Sequence, residues 1–216
     1  MEKVIFFDMD GVLTDCRSGW YFVHRNLGVD NSRNIELYNK GLIDYERFVE
    51  MDISLWMDKD KDMNRKKLYD IYKNIPFNKN AEKTVKELKE NGYLTVIITG
   101  SPDILAEMVS ERLGIDYHIS NIIEEKDGKL TTRGIIRLDP YRKDIAMLSF
   151  LYSYGKRFKK IVSIGDGIVD IPMFVHSDIS IAFNPFIERI RDFADYTIYG
   201  NDLEKILDLL VSATPR

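Results

Sequence analysis

Four consecutive apolar residues, Val4 to Phe7, run without interruption into Asp8, Met9, Asp10 and Gly11. Such a run, rich in β-branched and aromatic types, predicts a strand buried on both faces. Similar runs occur at Leu94 to Thr99, Ile161 to Ile164 and Ile179 to Phe183, with a shorter one at Tyr117 to Ser120. Helical spacing fills the gaps at Ala81 to Asn91, Pro102 to Leu113, Lys143 to Tyr154 and Glu188 to Phe193. Strands alternating with helices predict an α/β fold with a doubly wound parallel sheet. Asp127-Gly128 is a hairpin turn signal, which predicts that Asn121 to Lys126 and Lys129 to Gly134 pair as a small antiparallel flap.

Residues 16–77 break the alternation. They hold no buried-strand run, and their apolar positions recur at helical spacing in Trp20 to Leu27, Arg33 to Asn39, Tyr45 to Trp56 and Asn64 to Lys73, with Gly28 and Gly41 as stops. The expected organisation is a Rossmann-like core of residues 1–15 and 78–216, with a helical cap of residues 16–77 inserted after the first strand. Starting where the carboxylate-bearing strand ends, the cap should overhang that end as a lid. Met51, Trp56, Met57 and Met63 read as the cap's own core.

Composition narrows the function classes. With 44% hydrophobic and 31% charged residues the chain is an ordinary globular protein, and its net charge of −4 argues against nucleic acid as a partner. The basic clusters Arg65 to Lys67 and Lys156 to Lys160 read as solvated loop ends. No apolar stretch approaches the ~20 residues that span a bilayer, and the early first strand leaves no room for a signal peptide. The single cysteine, Cys16, has no internal partner and reads as a passive thiol in a reducing cytoplasm.

Four places at predicted strand ends carry chemistry. Asp8 and Asp10 crowd two like charges, which a divalent cation between them would relieve. Thr99 and Gly100 end a strand, with Ser101 placed as N-cap and Pro102 at the first helical position, an arrangement able to seat a phosphate. Lys143 opens a helix, where a cation is unfavourable unless something anionic lies near. Asp166 and Asp170 flank a glycine-permitted turn, with Asp170 folding back behind Asp166. An acidic metal site beside phosphate donors suits attack on a phosphomonoester.

In this order the motifs resemble the haloacid dehalogenase superfamily of phosphatases: DxDGxxT from Asp8 to Thr14, the strand-end Thr99, Lys143, and GDGxxD carrying Asp166 and Asp170. The resemblance implies Asp8 as the nucleophile that forms an aspartyl-phosphate and Asp10 as general acid, then base. It implies Mg²⁺ held by the Asp8 carboxylate, the Asp10 carbonyl and Asp166, with Asp170 in support. Thr99, the Gly100 amide and Lys143 would hold the phosphoryl group. Asp10 separates the chain from the metal-free dehalogenases of the superfamily.

The early helical insertion, the flap and the IAFNP segment (Ile181 to Pro185) are similar to the phosphoserine phosphatase-like branch, but its substrate-reading positions differ. Where that branch has a Glu seven residues after the second Asp, this chain has Arg17. The counterpart of its cap Arg falls near Glu50, and the Asn before its last Asp is Val169. The expected substrate is therefore a small phosphorylated metabolite, with Arg17 meeting a second anion and Trp20 and His24 lining the pocket. Phosphoserine itself, and phosphoryl transfer between sugars as in a mutase, are the alternatives within the scaffold. A phospho-accepting receiver module is the non-enzymatic one, and the insertion speaks against it.

Overall fold

A computed structural model describes residues 2–212. Seven strands form one sheet: β1 (Glu2–Phe7), β2 (Tyr93–Pro102), β3 (Tyr117–Lys126), β4 (Lys129–Ile135), β5 (Phe158–Gly165), β6 (Ile179–Phe183) and β7 (Tyr196–Ile198). The spatial order is β4-β3-β2-β1-β5-β6-β7. Every neighbouring pair is parallel except the β3–β4 hairpin. The chain builds outward from β1 through β2 and β3, then returns to the other side of β1 with β5. That reversal puts a topological switch point at the C-terminal end of β1, where open α/β sheets bind ligands.

Burial on both faces explains the uninterrupted apolar run of β1. Ile5 and Phe7 point into the larger core, and Val4 and Phe6 into a second core with Ala146, Met147 and Met173. All four β1 residues are fully buried, each worth roughly 1.5–3 kcal/mol relative to exposure. Helices cover both faces: α5 (Ala81–Glu90) and α6 (Asp103–Leu113) on one side, and α7 (Lys143–Ser153) and the short α8 (Ile171–Val175) on the other.

Between β1 and α5 lie α1 (Gly19–Leu27), α2 (Ser32–Asn39), α3 (Tyr45–Lys59) and α4 (Arg65–Tyr72). Ser18, Asp44 and Asn64 cap α1, α3 and α4 through their side-chain oxygens. Helices as short as α2 and α4 are marginal alone and depend on packing. Here Trp56, Met63, Leu68 and Tyr72 are buried in the larger core, with Trp20 stacked on Trp56 at 5.1 Å. Met51 and Met57 are only partly buried.

Several expectations need correction. The strand at Tyr117 and the first arm of the flap are one continuous strand, β3; the turn is as expected, with positive φ at both Asp127 and Gly128. Glu188–Phe193 is a 3₁₀ helix rather than an α-helix. Pro102 lies at the end of β2, so α6 starts at Asp103 and Ser101 is not its N-cap. Arg65 to Lys67 sit in the first turn of α4, not a loop, and Arg65 pairs with Asp103 at 2.7 Å. Strand β7 and helix α9 (Lys205–Ser212) complete the fold. The expected core range ends in residues 213–216, which lie outside the described residues. Among the described residues, no helix is long and apolar enough to cross a membrane.

Candidate active site

Asp8 follows β1 directly and stays tied to the sheet, its N–H donating to the Ile164 carbonyl at 2.8 Å. The chain then turns sharply, with Leu13 and Thr14 both donating to the Met9 carbonyl. Buried Asn78 fastens this loop from below, its amide nitrogen donating to the carbonyls of Gly11 (3.0 Å), Val12 (2.8 Å) and Thr14 (3.3 Å). Gly11 adopts φ +78°, and a Cβ there would lie 2.1 Å from Asp166 Oδ2. Only glycine lets the loop pass so close to that carboxylate.

The neighbouring strand is interrupted at the same level. Ile98 pairs with Ile119 and Pro102 with Asn121, so Thr99, Gly100 and Ser101 stand opposite Ser120 alone. This bulge turns the segment towards the cavity. Thr99 Oγ1 accepts from the Ser101 N–H at 3.1 Å, and the Ser101 hydroxyl donates to Asp10 Oδ2. A polar role for Ser101 replaces the capping role expected of it.

Lys143, at the start of α7, is 1% exposed. Its ammonium bridges Asp8 Oδ1 at 2.8 Å and Asp170 Oδ1 at 2.7 Å, which explains a buried cation at a helix N-terminus. Asp170 Oδ2 accepts the N–H groups of Asp166 and Gly167, both at 3.0 Å, and so closes the turn after β5. A Cβ on Gly165 would lie 2.2 Å from the Asp170 Cβ.

The charges set the protonation equilibria. Burial, reinforced by Asp170, pushes Asp8 well above the usual carboxylate range despite Lys143. Burial and then Asp170 raise Asp166 to about 6, with Arg17 pulling the other way. Burial also raises Asp10, opposed by the Ser101 hydroxyl and the Gly19 N–H. Burial pulls the Lys143 ammonium down, but Asp170 and Asp8 outweigh it and the net shift is upward.

Oxygens of Asp8, Asp166 and Asp170 all lie within 4.8 Å of one another. Three crowded carboxylates offset by Lys143 and Arg17, with an all-oxygen donor set, fit a hard divalent cation such as Mg²⁺. The Asp10 carboxyl is engaged by Ser101 and is not part of that cluster; the oxygen expected of Asp10 for the metal is its backbone carbonyl.

A cavity of about 580 Å³ opens over this centre, walled by Asp8, Asp10, Thr99, Gly100, Lys143 and Asp166 from the core and by Arg17, Trp20, Tyr45 and Phe48 from residues 16–77. The guanidinium of Arg17 pairs with Asp166, donates to the Asn184 carbonyl at 3.1 Å and lies 5.5 Å from the centre of the Phe186 ring. Trp20 Nε1 and the Tyr45 hydroxyl both donate to the Gly100 carbonyl at 3.1 Å, a double tie from the insertion to the bulge. His24 is not part of the cavity wall. It is buried, accepting from Trp56 Nε1 at 2.7 Å and facing Asp52 at 3.0 Å. Glu50 pairs with Arg47. Cys16 is half-buried, and burial pushes its thiol up, as befits a passive group.

Sequence reasoning missed Ser101 as a partner of Asp10, and also Asn78, Tyr45 and Asp52. An Asn just before a helix carries no local sign of a contact more than sixty positions away.

Comparisons with known proteins agree with this geometry. A family model described as haloacid dehalogenase-like hydrolase matches residues 5–174, and a second of the same description matches 139–210. A phosphoserine phosphatase of Methanocaldococcus jannaschii is 30% identical over 212 residues, spanning 95% of this chain and 96% of that protein. One from Archaeoglobus fulgidus is 28% identical over 97% of this chain and 60% of its own length. The solved structure of a phospho-aspartyl intermediate analogue of phosphoserine phosphatase superposes with a TM-score of 0.79 at 30% identity, covering 96% of this chain and 98% of that one.

Proposed function

The chain belongs to the haloacid dehalogenase-like hydrolases, and from that premise we propose how its residues divide the work of a phosphatase. The activity is Mg²⁺-dependent hydrolysis of a phosphomonoester through an aspartyl-phosphate, and the substrate is a small phosphorylated compound. Placement supports these roles. Asp8 Oδ attacks phosphorus while the bond to the leaving oxygen breaks, and Asp10 gives that oxygen its proton, releasing the alcohol. Water then attacks the acyl phosphate, Asp10 takes the water's proton, and phosphate leaves with the Asp8 carboxylate restored. Thr99, Gly100 and Lys143 hold the equatorial oxygens.

Asp8, the Asp10 backbone carbonyl and Asp166 would hold Mg²⁺ with Asp170 in support, and the ion would supply positive charge to offset the carboxylates and the phosphoryl group. Residues 16–77 act as a cap, with Trp20 at the cavity wall and His24 bracing it from behind. Arg17 stands at the rim against Asp166.

The observation that carries the assignment of roles is the Lys143 bridge from Asp8 to Asp170, one cation holding the nucleophile and the turn beside the cluster. Phosphate release from an aryl phosphate, with Mg²⁺ and with chelator, tests it together with trapping of the phosphoenzyme. A phosphoryl mass increment on a peptide containing Asp8, absent in Asp8→Asn, is expected. Phosphate release with the increment on any other residue would overturn the assignment.

A further inference from the structure

The cavity changes character away from the reacting centre. Six large side chains left to solvent line its mouth: Phe186 (73% exposed), Tyr21 (61%), Tyr141 (52%), Ile168 (46%), Ile35 (42%) and Ile187 (39%). Exposed apolar side chains gathered around one opening mark a binding surface. Phe48 and the faces of Trp20 and Tyr45 continue this wall inward.

The charged groups along the same wall are already paired. Arg17 is engaged by Asp166 and the Asn184 carbonyl. Asp52 is fully buried and accepts from Asn31 at 3.0 Å, from Asn34 at 2.7 Å and from His24 at 3.0 Å. The polar atoms of Trp20 and Tyr45 are spent on the Gly100 carbonyl.

We infer that the alcohol half of the substrate is uncharged and apolar: the site takes the phosphomonoester of an alkyl or aryl alcohol in preference to a zwitterionic amino-acid phosphate. The inference rests on the phosphatase reading for the phosphoryl end alone. An ammonium laid against these walls loses hydration and meets no free carboxylate, and the cation at the mouth, Arg17, is held by the Asn184 carbonyl and the Phe186 ring even where a metal takes Asp166. Each methylene buried there strengthens binding, up to about fourfold.

The test has a binding arm and a turnover arm, both on the full chain with Mg²⁺. Calorimetry follows non-hydrolysable n-alkylphosphonates from methyl to hexyl, with phenylphosphonate alongside. Turnover is measured for the matching alkyl and phenyl phosphates and for phosphoserine. Kd should fall about two- to fourfold per methylene, with kcat/KM rising in parallel and phosphoserine at least about tenfold below propyl phosphate, which has the same three-carbon chain. Phe186→Ser, at an exposed position where folding is not at risk, should flatten the slope.

A flat phosphonate series, an unchanged slope in Phe186→Ser, or phosphoserine ahead of propyl phosphate would overturn the inference. A steep phosphonate series with no ester turned over would support it while the phosphatase reading fails. Turnover with a flat series would do the reverse. The relative standing of phenyl and hexyl ligands distinguishes an aromatic from an aliphatic alcohol.

Discussion

Ser101 donates its hydroxyl to one oxygen of Asp10, while the other oxygen, Oδ1, is buried without a hydrogen-bond partner in the protein. An unsatisfied buried carboxyl oxygen costs free energy and persists where function uses it. On the proposed assignment, Oδ1 is the atom left to carry the proton to and from the reacting centre. Burial raises the Asp10 pKa, which suits a group that must be protonated when the leaving oxygen departs.

Ser101→Ala should therefore lower kcat by about ten- to a hundredfold, the worth of a hydrogen bond to an ionised group. The variant removes an interaction that pulls the Asp10 pKa down, so the pH profile of kcat should move upward, with Ser101→Thr restoring much of both. Activity lost without any displacement of the profile would mean that Ser101 acts on something other than Asp10.

Lys143→Met leaves Asp8 and Asp170 without their shared cation in a buried site. Removing one partner of a buried pair costs on the order of 3–5 kcal/mol. Urea unfolding in the presence of chelator should show a loss of that size, and Mg²⁺ should recover part of it by returning positive charge. Equal stability of variant and parent under chelator would show that the bridge contributes nothing.

Much of this was legible in the chain, for definite reasons. Val4 to Phe7 announced β1 because burial on both faces removes any need for alternation. Asp8, Asp166 and Asp170 were legible as carboxylates at predicted strand ends, and their oxygens do gather, whereas the crowding expected between Asp8 and Asp10 is not found in that cluster, because the Asp10 carboxyl is taken up by Ser101. The expected first arm of the flap merged into β3 because pairing with β2 resumes at Asn121 after the bulge. Ser101 looked like an N-cap because capping is read from local order, whereas β2 runs through it and a carboxylate from another strand end claims its hydroxyl. Asp52 was invisible for the same reason: its partners come from α1 and α2 and the segment between them.

That network makes its own prediction. Trp56 Nε1 donates to His24 Nδ1, which assigns the hydrogen to Nε2, where it faces Asp52. Asp52→Ala would strand the donors of His24 and Asn34 in the buried interior, and a loss of about 3 kcal/mol is expected from two unpaired groups. Nitrogen chemical shifts should report the Nε2–H tautomer of His24 in the parent. The opposite tautomer would mean that Trp56 does not orient the ring.

Metal binding should depend on pH through Asp166. Burial and Asp170 raise its pKa from 3.8 to about 6 in the fold. A carboxyl raised in this way favours the folded state at low pH, and its contribution is lost as pH rises through that window. Mg²⁺ requires the ionised form, so each proton displaced weakens apparent affinity by up to about tenfold per pH unit below the folded pKa. Calorimetric titration from pH 5 to 8 should show affinity climbing steeply to about pH 6 and then levelling as far as Asp166 is concerned. Asp8, raised well above the usual range, extends the climb beyond that point. Arg17 pulls Asp166 down, so Arg17→Ala should move the first inflection upward while freeing the carboxylate for the ion. Its affinity would then exceed that of the parent at pH 8 and fall off sooner on acidification. A Kd for Mg²⁺ independent of pH between 5 and 7 would remove Asp166 from the set of ligands.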